Sequence, residues 1–189
     1  EDENAPHYII MTGFSSKEQL DAYNNSWTSE DWVALAKEAH KGKISDRRIE
    51  RIMSNVGSES KERRNYHLKR VDRTIWAGGS LKPGDELVLV PTQAQNDDFE
   101  NYESLFWKPY VEKSIIKGKH RYWGLSKVYE RADNAYEGMT HFFFNVMVEG
   151  GSMTSDIPTD SFKFQKLQEG LNAASQHADA ITLELISRH

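Results

Sequence analysis

Two strand-forming runs in the second half of the chain carry side chains able to move a proton or hold a polar ligand. They are HRYWGLSKVYER, starting at His120, and THFFFNVMVEG, which contains His141 and Asn145. Alternation places His120, Tyr122, Gly124, Ser126 and Val128 on one side of the first strand, with Trp123 and Leu125 on the other. On the second, His141, Phe143, Asn145 and Met147 share one side. Phe142, Phe144, Val146 and Val148 form the other, which is more apolar and is expected to meet the helices. If the hairpin brings His141 near His120 or Tyr122, one sheet face holds imidazoles, a phenol and an amide. Such a grouping suits acid–base chemistry, with His120, Tyr122 and His141 as candidate catalytic residues, or recognition of a small polar aromatic ligand. Trp107, Tyr122, Trp123, His141 and Asn145 are the candidate ligand-binding residues. The same side chains also read as strand-end residues satisfied by local hydrogen bonds, with no part in any reaction.

Other chemistries find less support. The chain has no cysteine, which removes thiol catalysis, disulfides, zinc–thiolate sites and iron–sulfur clusters. His120 and His141 lack a third ligand at a metal-binding spacing, and neither an HExxH helix nor an HxH strand occurs, so no metal site is expected. There is no GxSxG elbow and no P-loop; GGS at 78–80 leads into a turn, and no cofactor is implied. The acids Asp97, Asp98, Glu100 and Glu103 crowd a helix start, where they complement the helix dipole and read as structural. Trp27, Trp32, Trp76, Trp107 and Trp123 read first as core and interface anchors, and second as a binding platform.

Bulk properties narrow the partners. A net charge of −5 argues against general nucleic-acid binding, which relies on a basic face. The basic run KERRNYHLKRVDR is broken by acids and aromatics and reads as a solvated strand face. No run approaches the ~20 apolar residues of a membrane-spanning helix. A polar leader, EDENAP, ahead of the first apolar run suits an exported, periplasmic chain, with a cytoplasmic location as the alternative.

The elements that must position these residues follow from periodicity and punctuation. HYIIMTGF reads as a strand ended by Gly13 and the serines after it. WTSEDWVALAKEAHKG is helical, with Thr28 and Asp31 as a capping box and Gly42 as its stop. SDRRIERIMSNVG repeats that grammar, from a Ser45 or Asp46 cap to Gly57. NYHLKRVDRTIWA alternates as a half-buried strand. ELVLVPTQAQ is a strand in which Pro91 implies an edge or an end. From Asp97 or Asp98, Phe99, Tyr102, Leu105 and Phe106 form an apolar helical stripe that Val111 and Ile115 resume. Pro109 bends that helix and Gly118 ends it. After the two histidine-bearing strands, SFKFQKLQEGLNAASQHADAITLELISRH reads as one long helix, in which Gly170 marks a close contact. Residues 86–189 thus run strand, helix, strand, strand, helix. This is most of a ferredoxin-like α+β module, an antiparallel sheet with helices on one face. Residues 1–84 supply strand, helix, helix and strand, as a degenerate first module or an appendage.

The stretch DDFENYESLFWKPYVEKSIIKGKHRYWGLSKVYE followed by THFFFNVMV resembles the dimeric α+β-barrel superfamily, which includes EthD-like, NIPSNAP-like and antibiotic-biosynthesis-monooxygenase-like proteins. The likeness rests on Trp107-Lys108-Pro109, Lys117-Gly118 and Trp123-Gly124, and covers residues 85–189. The closing ASQHADAITLELISRH is similar to the last helix of exported bacterial members. The resemblance implies a homodimer whose sheets close a barrel around a cavity. Its motifs are structural, and one fold hosts many functions. The functional expectation is therefore a small-molecule binder, aromatic or apolar ligands included. The alternatives are a cofactor-independent monooxygenase-like or EthD-like enzyme using His and Tyr proton transfer, and a structural or interaction protein.

Overall fold

The computed structural model describes residues 8–56, 58, 61–151 and 157–188, and the chain divides into two units, residues 1–63 and 64–189. The leader EDENAP and Gly57 lie outside the described residues.

Cap chemistry organises the first unit. It holds helices α1 (Lys17–Ser26), α2 (Ser29–Ala39) and α3 (Asp46–Ser54). Thr28 and Asp31 form the expected capping box at the start of α2. The left-handed Gly42, φ 76°, follows its end. The strand expected over HYIIMTGF does not form: residues 8–14 are irregular, with Tyr8 and Ile10 exposed. An extended run with no neighbouring strand leaves its backbone groups to water, and strand propensity alone does not order it. The serines read as ending that strand start a helix, since Ser16 Oγ accepts the Gln19 N–H at the start of α1. A Lys37–Glu50 ion pair at 2.6 Å links α2 to α3.

The second unit contains β1 (Tyr66–Arg73), β2 (Glu86–Ala94), α4 (Phe99–Asn101), a π-helical turn (Tyr102–Trp107), α5 (Lys108–Ile116), β3 (His120–Arg131), β4 (His141–Met147), α6 (Phe162–Ala174), β5 (Ser175–His177) and β6 (Ile181–Glu184). All pair antiparallel in one sheet of order β1-β3-β4-β2-β5, with β6 also on β2. From β2 onward this is the strand–helix–strand–strand–helix–strand order of a ferredoxin-like α+β fold, and β1, from the region 1–84, is an extra edge strand.

The long final helix is a correction. It ends at Ala174, and Ser175 turns extended at φ −149°, ψ 155°. The missing fourth strand is the following segment, in two pieces. β5 pairs with Thr92–Ala94 and β6 with Glu86–Leu89. Val90 and Pro91 fall in the gap between them. The Pro91 carbonyl accepts the Ala178 N–H from that side. An N–H at Pro91 would point the same way, and proline has none. Pro91 therefore sits on an interior strand, and the strand beside it breaks instead.

The helices pack on one face of the sheet, around Phe99, Val111, Ile115, Trp123, Leu125, Phe143 and Ala174. This reverses the expected facing of β4: Phe143, flanked by His141 and Asn145, points to the helices. Phe142, Phe144 and Val146 are buried on the opposite face. There Tyr66 meets Phe142 edge-on, and Arg70 lies over both Phe144 and Tyr122.

Candidate functional site

The helix over the sheet does not keep an α period. Within the π-helical turn the Lys108 N–H bonds the Glu103 carbonyl five residues back, and Pro109 follows at the start of α5. Proline offers no N–H and its ring crowds the carbonyl four residues before it, and the widened turn relieves both. The turn also sets the phase. Phe99 and Val111 are twelve residues apart, which at 3.6 residues per turn leaves them about 120° out of register. Wider winding brings Phe99, Glu103, Trp107, Val111 and Ile115 all inward, whereas Leu105 and Phe106, expected in the apolar stripe, are exposed.

Glu103 thereby enters the interior. Its side chain is buried and its Oε2 has no hydrogen-bond partner. Burial pushes the carboxyl up to about 8, so the acid form predominates at neutral pH. It opens into a cavity of about 320 Å³ between the sheet and α6. Trp107, Trp123, Phe143 and Phe164 supply aromatic walls, while Gln168, Asn172 and Asn145 supply amides. Asn145 is buried, and its Oδ1 is likewise unpartnered. His177, from β5, completes the rim. Its Nδ1 lies 2.9 Å from Thr92 Oγ1 and its Nε2 3.3 Å from Ser175 Oγ, so both ring nitrogens are engaged. Gly170 lets α6 approach closely: a Cβ there would meet the Tyr102 ring at 2.3 Å.

Three of the five predicted ligand-binding residues, Trp107, Trp123 and Asn145, converge on this cavity. Tyr122 lies on the other sheet face, stacked on Trp76 with ring centroids 3.9 Å apart and planes 10° from parallel.

His141 and His120 are not brought together. His120 pairs with Met147 and His141 with Lys127. Six residues of β4, from His141 to Met147, separate the two positions, about 20 Å at ~3.3 Å per residue. Each is held by its own local contacts. His120 is fully buried, its Nε2 bonds the Tyr122 carbonyl, and its Nδ1 has no partner. Burial lowers its pKa and keeps it neutral. His141 sits between Thr140 Oγ1 at 2.9 Å and Glu100 Oε1 at 3.2 Å, edge-on to Phe99. Its burial lowers its pKa, outweighing the pull of Glu100. Glu100 also accepts Lys127 Nζ at 2.8 Å, and that bond leads in holding its carboxyl below the ordinary range. The acid–base pairing expected of His120, Tyr122 and His141 on one face therefore has no geometric basis.

Glu103 and His177 are the residues that sequence reasoning missed. Glu103 is classed with the helix-start acids as long as an α period is assumed, and the signal that reassigns it is Pro109 close behind an acid that breaks the stripe. His177 is hidden by reading its strand as helix. Among the described residues no group of three His, Cys, Asp or Glu converges as a metal site, and no helix is long and apolar enough to cross a membrane. No protein-family model, curated protein or solved structure matches the chain. What the resemblance of residues 85–189 implied is present at the level of architecture, an antiparallel α+β sheet with helices on one face.

Proposed function

We propose that the C-terminal unit binds a small aromatic or apolar molecule in the cavity under the sheet, with Glu103 and Asn145 as its polar anchors. The observation that carries this reading is a cavity walled by aromatic rings whose lining includes two buried residues, Glu103 and Asn145, each with an oxygen, Oε2 and Oδ1, that has no hydrogen-bond partner. A buried polar atom without a partner costs about 1–3 kcal/mol. A ligand that meets both recovers that cost, and the volume suits a small organic molecule.

Ligand-observed NMR with a panel of small aromatic fragments tests this, comparing the wild type with a Leu171→Trp variant that fills the cavity. Saturable binding to the wild type that is lost in the variant supports the reading. Equal binding to both, or to neither, overturns it.

A second reading, a cofactor-independent enzyme, is favoured by one observation. A carboxyl pushed to about 8 is matched to proton transfer near neutral pH. In that reading Glu103 moves the proton, in place of His120, Tyr122 or His141. Deuterium exchange at an acidic C–H of a bound fragment, present in the wild type and absent in Glu103→Gln, would mark it; no exchange across the panel would dismiss it.

A further inference from the structure

Resting on the reading that this cavity takes a small aromatic or apolar molecule, we infer that the molecule carries those groups on an organic cation. Its quaternary or protonated tertiary ammonium group sits among Trp107, Trp123, Phe143 and Phe164, with Glu103 as counter-carboxylate. The lining includes four aromatic side chains, residue types that attract an alkylammonium through the ring quadrupole. The unpartnered atoms, Glu103 Oε2 and Asn145 Oδ1, are both oxygens that can accept or face positive charge.

The lining also excludes the opposite charge. Among the described residues, no lysine or arginine lines the cavity. α6 faces it with Phe164, Gln168, Leu171 and Asn172, β2 and β4 with Val90, Phe143 and Asn145, and β3 with Trp123, none of them charged. From β5 comes His177, the other titratable group of the lining, whose ring nitrogens face Thr92 and Ser175. A carboxylate or phosphate ligand would thus meet an acid and no basic anchor.

Without a counter-charge beside it, Glu103 avoids a bare buried charge by staying protonated. An entering cation supplies the missing counter-charge, the Glu103 O–H bond breaks, and the proton leaves to solvent. Binding is then a one-for-one exchange of a proton for the cation. With the free carboxyl near 8, close to one proton leaves per ligand at pH 7. The affinity rises about tenfold per pH unit below 8 and levels off above it.

The test uses the full chain and isothermal titration at pH 7 in phosphate and in Tris, whose ionisation enthalpies differ. Choline is compared with 3,3-dimethylbutan-1-ol, its neutral carbon isostere, and benzyltrimethylammonium serves as a larger cation. The expected result is that one or both cations bind, choline at least tenfold more tightly than the alcohol if it is the one that fits. The buffer dependence should report about one proton released. In Glu103→Gln, which keeps the side-chain shape, proton release should vanish and the cation advantage collapse. Equal or tighter binding of the alcohol, or cation binding without proton release, overturns the inference while leaving the small-molecule reading intact. Cations that fail to bind while aromatic fragments saturate the cavity overturn it too. Failure of the fragments and cations together overturns both.

Discussion

Replacing Glu103 by glutamine should remove a pH dependence of stability. The carboxyl stands at 4.5 in its ordinary state and about 8 in the fold. Between those values the folded chain holds a proton that the unfolded chain has released, so stability falls as pH rises. At ~1.4 kcal/mol per unit of displacement, the wild type should lose about 2 kcal/mol through this group between pH 5.5 and 7. A further loss of about 1 kcal/mol should follow by pH 9, where the slope flattens. Glutamine does not titrate, so the difference between wild type and Glu103→Gln isolates the term from every other group. The variant should be about equal to the wild type, or weaker, at pH 5.5 and should outlast it by about 3 kcal/mol more, relative to that starting point, at pH 9. Urea unfolding followed by tryptophan fluorescence at several pH values measures the difference. A difference flat to within about 0.5 kcal/mol across that range would mean an ordinary, hydrated carboxylate, and the argument for a dry Glu103 would fail.

Further expectations follow from packing and burial. In the Glu103→Gln background, acidification below pH 6.5 should destabilise through His120 and His141. Burial lowers both pKa values, so each is neutral in the fold and must charge as pH falls; a flat profile between pH 6.5 and 5 would contradict this. Gly170→Ala should lose about 1–2 kcal/mol in denaturant melts, because the clash with Tyr102 at 2.3 Å outweighs a helix-propensity gain of ~1 kcal/mol. Tyr102→Leu in the same chain should erase that loss in a double-mutant cycle. Deleting Leu105 removes one exposed residue from the widened turn and returns Phe99 and Val111 to within about 20° of one α face. That deletion should cost less than about 2 kcal/mol, whereas deleting Glu112 swings Ile115 by about 100° and should cost more than 3. Calorimetry that ranked the two deletions the other way would refute the phasing argument.

Local chemistry was readable wherever one residue decided one backbone feature. Thr28 with Asp31 and Gly118 each fixed a cap or stop by a side-chain oxygen or a positive φ, and Gly170 marked a close approach through its missing Cβ. The order of β2, the helix, β3 and β4 was legible for the same reason. What sequence did not reveal depends on partners distant in the chain. ITLE becomes β6 because β2 offers a pairing edge, while Tyr8-Ile9-Ile10, with comparable strand propensity, pairs with no strand among the described residues and stays irregular. The register of the hairpin, which separates His120 from His141, is settled by the whole set of facing side chains and no single residue announces it. Trp107, Trp123 and Asn145, which line the cavity, stood out as large aromatics and a lone amide in apolar runs. Glu103 was not, since an acid near a helix start has an ordinary explanation until the winding changes.

The break opposite Pro91 also bears on solubility. An antiparallel sheet ends in two rows of open backbone groups that invite another strand to add on. Here one border is made of two short pieces, of three and four residues, with a gap between them. The other, β1, is interrupted by irregularities on either side of Leu68–Arg70 and carries Lys69, Arg70, Asp72 and Arg73. Neither border offers a long, flat template, so strand-by-strand polymerisation is blocked at both, and a proline that costs one ladder bond helps keep the folded sheet from growing.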